Sequence, residues 1–326
     1  MAHRLGRRAM LGGLATLGTA TRTRAQGADY PGAQPVSLVV PAAPGGVPDI
    51  LGNVLVRSLG ERLGGTFVLE HKPGAATTLG ARHVARSRPD GRTLLLGTGA
   101  TFSIMPFVMR NLGFDPLADF AHVGMMANTL YLLVAHPRWR SLEEIVSAAR
   151  RDPGKLTYAT WGLGSTSHLG MVDFTARAGI EMLHVPYNGV QPGLTDTLAG
   201  RVDVMLATFG PAKPHVEAGR LRALGTPSEA RAEAMPDIPT IIEQGYPGYT
   251  VAGWMSVSAP AGTPQPVVSV LEAATASTFG DPAVRAQLAR LGLEATPSSS
   301  EQLRARIARD IEVFRTLTRR AGIQPE

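Results

Sequence analysis

The chain alternates between short apolar runs and longer segments whose apolar positions recur every three or four residues. Val36 to Val40 is an apolar run that reads as a first strand. Asp49 to Leu63 follows as a helix ending at Gly64-Gly65, with Ile50, Leu51, Val54, Leu55 and Leu59 as its apolar stripe. Thr66 to Glu70 is a second strand, Leu79 to Arg88 a helix stopped by Pro89-Asp90-Gly91, and Thr93 to Gly97 a third strand. A second set starts near Tyr131-Leu132-Leu133-Val134. Ser141 caps a helix to Arg151, with Glu144 three residues on. Thr157 to Thr160, Met182 to Val185, Val202 to Leu206 and Leu221 to Gly225 read as strands, and Ser167 to Gly179 and Gln191 to Gly200 as helices. Thr250 to Ser258 reads as a strand that crosses back. Pro264 to Phe279 and Ser300 to Arg320 close the chain as helices. In the last, Leu303, Ile307, Ile311, Phe314 and Leu317 form one apolar face, which is expected to pack on the first domain.

Strand–helix alternation of this kind argues for right-handed βαβ units and a largely parallel sheet. The pattern occurs twice and then returns. The expected organisation is residues 26–130 with 252–326 as one domain and 131–251 as a second. Two crossings, near Asn128–Tyr131 and Thr250–Gly253, form a hinge. The 326 residues suffice for two ordinary domains. In such α/β proteins a ligand sits at the carboxyl ends of the strands, between the domains.

Composition changes this picture at the amino terminus. Arg4, Arg7 and Arg8 precede the apolar stretch Ala9 to Ala20, and Thr23-Arg24-Ala25 places small residues before a cut at Gln26. Residues 1–25 read as a cleaved export signal, with Arg7-Arg8 resembling a twin-arginine signal, and the mature protein is expected in the periplasm. Those residues carry five arginines and no acid, so the formal charge of +6 becomes 6 − 5 = +1 after cleavage. No basic stripe remains for a nucleic-acid partner. The absence of cysteine excludes disulfides, thiolate metal sites and cysteine nucleophiles.

The sequence carries no G-x-S-x-G elbow, no phosphate-binding G-x-x-x-x-G-K-[ST] and no H-E-x-x-H. Gly162-Leu163-Gly164-Ser165 starts like a dinucleotide fingerprint but lacks the final glycine, and the eight histidines have no metal-ligand spacing. No cofactor and no metal are expected. A Ser165/His168/Asp203 triad, and with it an exported serine hydrolase, is the alternative reading. Four strand-end features remain. Pro44-Gly45-Gly46 opens a helix, with Asp49 placed to orient its first turn. Gly164-Ser165-Thr166 and His168 open another, offering hydroxyls and N–H groups or an ordinary N-cap. Tyr187-Asn188-Gly189 follows a strand, and Tyr187 reads either as a donor or as core. Asp203 lies in an apolar strand, where a carboxylate must be paired, and reads more readily as an organiser of nearby loops.

Taken in order, V-V-P-x-x-P-G-G (Val39 to Gly46), K-P-G-A (Lys72 to Ala75), P-D-G-x-T-L-L-x-G (Pro89 to Gly97) and F-D-P-x-x-D-F (Phe114 to Phe120) are joined by four more segments. These are G-S-T-S-H-L (Gly164 to Leu169), H-V-P-Y-N-G (His184 to Gly189), D-V-M (Asp203 to Met205) and P-A-G-T-P (Pro260 to Pro264). The set resembles the Bug/TctC family, periplasmic solute receptors of tripartite tricarboxylate-type transport systems. The resemblance implies a type II periplasmic-binding fold of two doubly wound α/β domains closing on a small carboxylate. It implies a monomer that hands the solute to membrane transporter subunits, or a receptor used for sensing. It implies ligand contacts from Ala43, Pro44, Gly45, Gly46 and Asp49 in one domain. From the other it implies Gly164, Ser165, Thr166, His168, Tyr187, Asn188, Gly189 and Asp203.

Three departures stand out. Val47-Pro48 replace the Gly-Thr of the pattern P-G-G-G-T-D, which removes a hydroxyl and an N–H. Pro73-Gly74-Ala75-Ala76-Thr77-Thr78 stand for P-G-A-G-G-N. Thr160-Trp161 replace a serine-alanine, and Trp161 reads either as an aromatic platform for the ligand or as packing under the loop. These changes point to a ligand less polar than citrate or malate.

Overall fold

The computed structural model describes residues 30–42 and 44–325. The export-signal reading and Ala43 fall outside them. The elements in chain order are β1 (Val36–Val40), α1 (Val47–Leu63), β2 (Phe67–His71), α2 (Thr78–Ala85), β3 (Thr93–Thr98), α3 (Met105–Val108), β4 (Phe120–Thr129), β5 (Tyr131–Ala135), α4 (Leu142–Arg151) and β6 (Thr157–Thr160). They continue with α5 (Thr166–Ala178), β7 (Leu183–Pro186), α6 (Val190–Leu198), β8 (Val204–Thr208), α7 (Phe209–Glu217), β9 (Arg222–Gly225), β10 (Gly253–Pro260), α8 (Gln265–Gly280), α9 (Pro282–Arg290), β11 (Leu293–Ala295) and α10 (Ser300–Arg320). A 3-10 turn at Ala75–Thr77 leads into α2, and a π-helical turn at Ala100–Ile104 leads into α3.

Two sheets organise these elements. One has the order β11-β4-β10-β3-β1-β2, the other β7-β6-β8-β5-β9. The parallel expectation holds only for the cores β2/β1/β3 and β7/β6/β8. In each sheet one antiparallel strand sits beside that core, β10 on β3 and β5 on β8. Each is the strand that follows a crossing between the sheets, so it enters from the hinge side and must run against its neighbours. The two domains therefore share one strand order.

The first crossing is the single residue Leu130, whose N–H donates to Gly292 O at 3.1 Å and whose carbonyl accepts from Phe209 N at 2.9 Å. In the second, the segment from Thr226 packs Ile241 and Tyr249 into the second domain's core before Gly253 starts β10. Tyr131 packs against the α carbon of Gly253, so a side chain there would collide with the phenol. Both crossings thus converge on one tyrosine.

Each domain has its own apolar core. A smaller cluster joins them: Ile104, Met105 and Leu317 of the first domain enclose Leu169 of α5. The last helix begins with a capping box between Ser299 and Gln302 and packs on β4, and Trp254 Nε1 of β10 donates to its Asp310 Oδ2 at 2.8 Å. It also lies against α5, a contact with the second domain that its apolar face alone does not foretell.

Candidate functional site

The parallel strands aim the loops after β1, β2 and β3 at one edge of the first domain, and the loops after β6 and β7 at one edge of the second. After β1, Pro44, Gly45 and Gly46 are exposed, and Gly45 takes φ +89°. Gly46 is the N-cap of α1, in extended conformation and with no side-chain cap. Pro48 has no N–H, and the Asp49 and Ile50 N–H groups donate to Gly46 O at 3.1 and 3.2 Å, so Val47 N–H is the group of this first turn left open to an outside acceptor. Asp49 does not compete for that place. Its Oδ2 accepts Gly45 N–H at 3.1 Å and its Oδ1 accepts His71 Nε2 at 2.9 Å. The Gly45 N–H bond first, then His71, hold its carboxyl below the usual carboxylate range. Asp49 ties the turn to the end of β2.

In the second domain, Gly162 and Gly164 take φ +130° and +70°. The Ser165 hydroxyl accepts His168 N–H at 3.2 Å and donates to Gly162 O at 2.7 Å, capping α5. His168 Nδ1 accepts Gly164 N–H at 3.2 Å, and its ring stacks on His184 at 4.0 Å between centroids. Burial and the neighbouring His184 push His168 down to about 4, so it stays neutral at pH 7. His184 Nε2 and Thr160 Oγ1 share a 2.7 Å hydrogen bond, and Gly162 N–H donates to Thr160 Oγ1 at 3.3 Å. The loop is thus held at both ends by stacked rings, the buried His168 and the half-buried His184. The start of α5, Thr166, lies beside the Tyr131 phenol at the hinge. Trp161 stacks on the same Tyr131 ring at 5.7 Å and 26° and joins both cores of its domain, so one of its faces is packing.

After β7, Asn188 is exposed and Gly189, at φ +114°, is the N-cap of α6, again without a side-chain cap. Tyr187 N–H donates to Thr160 O at 3.0 Å, which joins this loop to the one after β6. The Tyr187 hydroxyl donates to Asp196 Oδ2 at 2.7 Å, within its own domain.

Asp203 is not brought to these loops. It precedes β8, at the amino end of the parallel strands, where Thr157 N and Oγ1 donate to its Oδ2 at 2.8 and 2.9 Å and Arg138 Nη2 donates to its Oδ1 at 2.6 Å. Burial would raise its pKa, but the Thr157 and Arg138 bonds outweigh it and keep the carboxylate ionised. The structure does not bring Asp203, expected as a ligand contact, to the loops after β6 and β7: this strand-embedded carboxylate is held by N–H, hydroxyl and guanidinium donors at the amino ends of the strands. The Ser165/His168/Asp203 triad does not assemble either, because the histidine accepts from a backbone N–H and the acid lies at the other end of the strands.

The segment after β3 links the two edges. It carries Thr101 beside the loop after β2, through a 2.7 Å hydrogen bond to Thr77, and it places Val108 against Gly164. Thr77, Thr98, Thr101, Thr160 and His184 were not singled out as site residues from the sequence. The usable signals were Thr77 in place of a glycine and hydroxyl residues at positions 98 and 101, just past a strand.

Two α/β domains of shared strand order, joined by two crossings and carrying glycine loops at the strand ends, define a solute-binding protein of the periplasmic-binding type. A model of the tripartite tricarboxylate transporter family receptor matches residues 52–322. A UPF0065 protein in the tcbD–tcbE intergenic region of Pseudomonas sp. (strain P51) is 36% identical, over 92% of this chain and 90% of its own. BugT of Bordetella pertussis is 31% identical over 95% of each. Among solved structures, an R. palustris protein with adipate is similar at 33% identity and TM-score 0.78, covering 91% of this chain and 100% of its own. MatC of Rhodopseudomonas palustris, with bound malate, is similar at 29% and 0.71, covering 86% and 98%.

The chain belongs to the tripartite tricarboxylate transporter receptor family, the TctC/Bug periplasmic solute-binding receptors, whose members and structural neighbours are binding proteins and not enzymes. No helix among the described residues is long and apolar enough to cross a membrane.

Proposed function

We propose that this receptor captures a small carboxylate between its two domains and delivers it to the membrane subunits of a tripartite tricarboxylate-type transporter. The observation that carries the reading is the pair of helix starts without side-chain caps, Gly46 on α1 and Gly189 on α6, one at the strand ends of each domain. Free N–H groups at a helix N-terminus attract an anion. An acid that touches both would favour the closed form by its contacts to each domain. Adipate and malate in the neighbours' structures are consistent with this chemistry.

The ligand is less charged than a tricarboxylate. Lys72 is the lysine of these loops and is engaged by Glu70 at 2.6 Å, while His168 is neutral. Leu163 in the loop after β6 is 65% exposed, and Leu79 at the start of α2 is 49% exposed, giving each domain an apolar rim residue. N–H and hydroxyl donors beside apolar side chains suit one carboxylate on a carbon body. Titration calorimetry and thermal shift with adipate, benzoate, malate and citrate test this. One-to-one binding without product is expected, with adipate or benzoate stabilising more than citrate. Stabilisation by citrate alone overturns the ligand class. Turnover of an ester without stoichiometric binding overturns the receptor reading.

A further inference from the structure

Thr77 is a threonine in the left-handed region, at φ +79°, and the residue two before it, Ala75, is at φ +45°. A β-branched residue there is costly and persists only where its surroundings fix it. What fixes Thr77 is a chain of hydroxyls. Thr77 Oγ1 lies 2.7 Å from Thr101 Oγ1, which lies 2.9 Å from Thr98 Oγ1, and Thr98 Oγ1 also accepts Thr101 N–H at 3.1 Å. Thr101 is fully buried, while Thr77 and Thr98 at the two ends are half-buried. Thr101 sits in the π-helical turn, a rare conformation that recurs at functional sites.

The position of this chain follows from the sheet. β1 lies between β2 and β3, so a bond from the loop after β2 to the loop after β3 passes across the carboxyl end of β1, where Pro44-Gly45-Gly46 begin. The same segment after β3 reaches Gly164 of the other domain through Val108. Three hydroxyl protons serve two hydrogen bonds between oxygens, so one proton is always left over. When Thr101 donates to one end, the surplus proton is that end's own, on Thr77 or Thr98; when both ends donate to Thr101, it is that of Thr101 itself.

We infer that Thr77, held by Thr101 and Thr98, is a specificity-determining residue that presents this surplus hydroxyl proton to an acceptor oxygen of the bound acid. The inference rests on the receptor reading above. The chain of hydroxyls is uncharged, so it selects for an oxygen acceptor without demanding a second negative charge. A reversal of the Thr101 hydroxyl moves the donor between the two ends.

The test uses the full mature protein and calorimetric titration with whichever of adipate, malate and benzoate the wild type binds most tightly. Thr77→Gly and Thr101→Val are each expected to weaken binding roughly tenfold, the range of one hydrogen bond to a charged group. Thr77→Ser should stay within about twofold, because the hydroxyl is kept. The separating readout is thermal stability. Thr77→Gly relieves the positive φ, so its melting temperature should equal or exceed that of the wild type while its affinity falls. Unchanged affinity in Thr77→Gly, or affinity and melting temperature falling together, overturns the inference and leaves the receptor reading standing. A wild type that binds none of the three acids overturns the receptor reading, and this inference with it.

Discussion

Single residues in this protein carry charge and protons in places the sequence only partly announces. Two buried histidines are held neutral. His122 is pushed down to about 4 by burial, and so is His168, by burial and then by His184. Both lie below the value near 6.5 that they regain on unfolding. The unfolded chain therefore takes up protons first as pH falls. Stability is full above about 6.5 and is lost progressively between there and about 4, on the order of 3 kcal/mol for His122. Chemical denaturation at pH 7 and pH 5 should show the midpoint falling at the lower pH, and His122→Gln should flatten that dependence. An unchanged slope in the variant would remove His122 from the account. The sequence marked His168 as a site residue, and its ring does stand under the loop. It showed neither the stack with His184 nor the burial of His122, because each depends on separate elements meeting in the fold, α5 with β7 and β4 with β10.

At the scale of elements, the strand-to-helix turns were legible, because apolar runs, glycines and a helical stripe are local signals. β1, α1 and α10 lie close to where the periodicity put them. β4 was not legible. Its sequence, Phe120 to Thr129, is buried between β10 and β11 and shows no alternation, so nothing local separates it from a buried helix. The direction of β10 was equally hidden, since a strand that enters from the hinge has the same composition whichever way it runs.

The roles of side chains at the loop after β7 are also an element-scale matter. Tyr187 reads as a ligand donor or as core, and its hydroxyl is committed to Asp196 of α6. Tyr187→Phe is expected to cost about 1–2 kcal/mol in thermal denaturation and to leave ligand affinity within about twofold. A tenfold loss of affinity with stability intact would instead make Tyr187 a ligand contact.

For the whole molecule, the joint between domains is apolar and narrow. Leu169 of α5 is fully buried among Ile104, Met105 and Leu317, with Val108, Phe314 and Ile323 around them. These residues come from three separate places in the sequence and back the loop that carries Gly164. Leu169→Ala is expected to cost about 2–4 kcal/mol and to uncouple the domains, so that one calorimetric transition becomes two. A single, uniformly lowered transition would mean that the joint does not couple them.

The sequence by itself determined the local grammar: where chains of apolar residues become strands, where glycine and proline open a helix, and which family pattern those turns follow. These are decided by neighbours within a few residues, so one dimension suffices. Only the tertiary structure decided which end of the strands each polar side chain occupies. Asp203 and Ser165 look alike as candidates along the chain, yet one is fixed by Thr157 and Arg138 at the amino ends and the other caps a helix at the carboxyl ends. Thr77, Thr98 and Thr101 become one hydroxyl chain for the same reason. Hydrogen bonds reach about 3 Å, and only the folded sheet brings the loops after β2 and β3 within that reach.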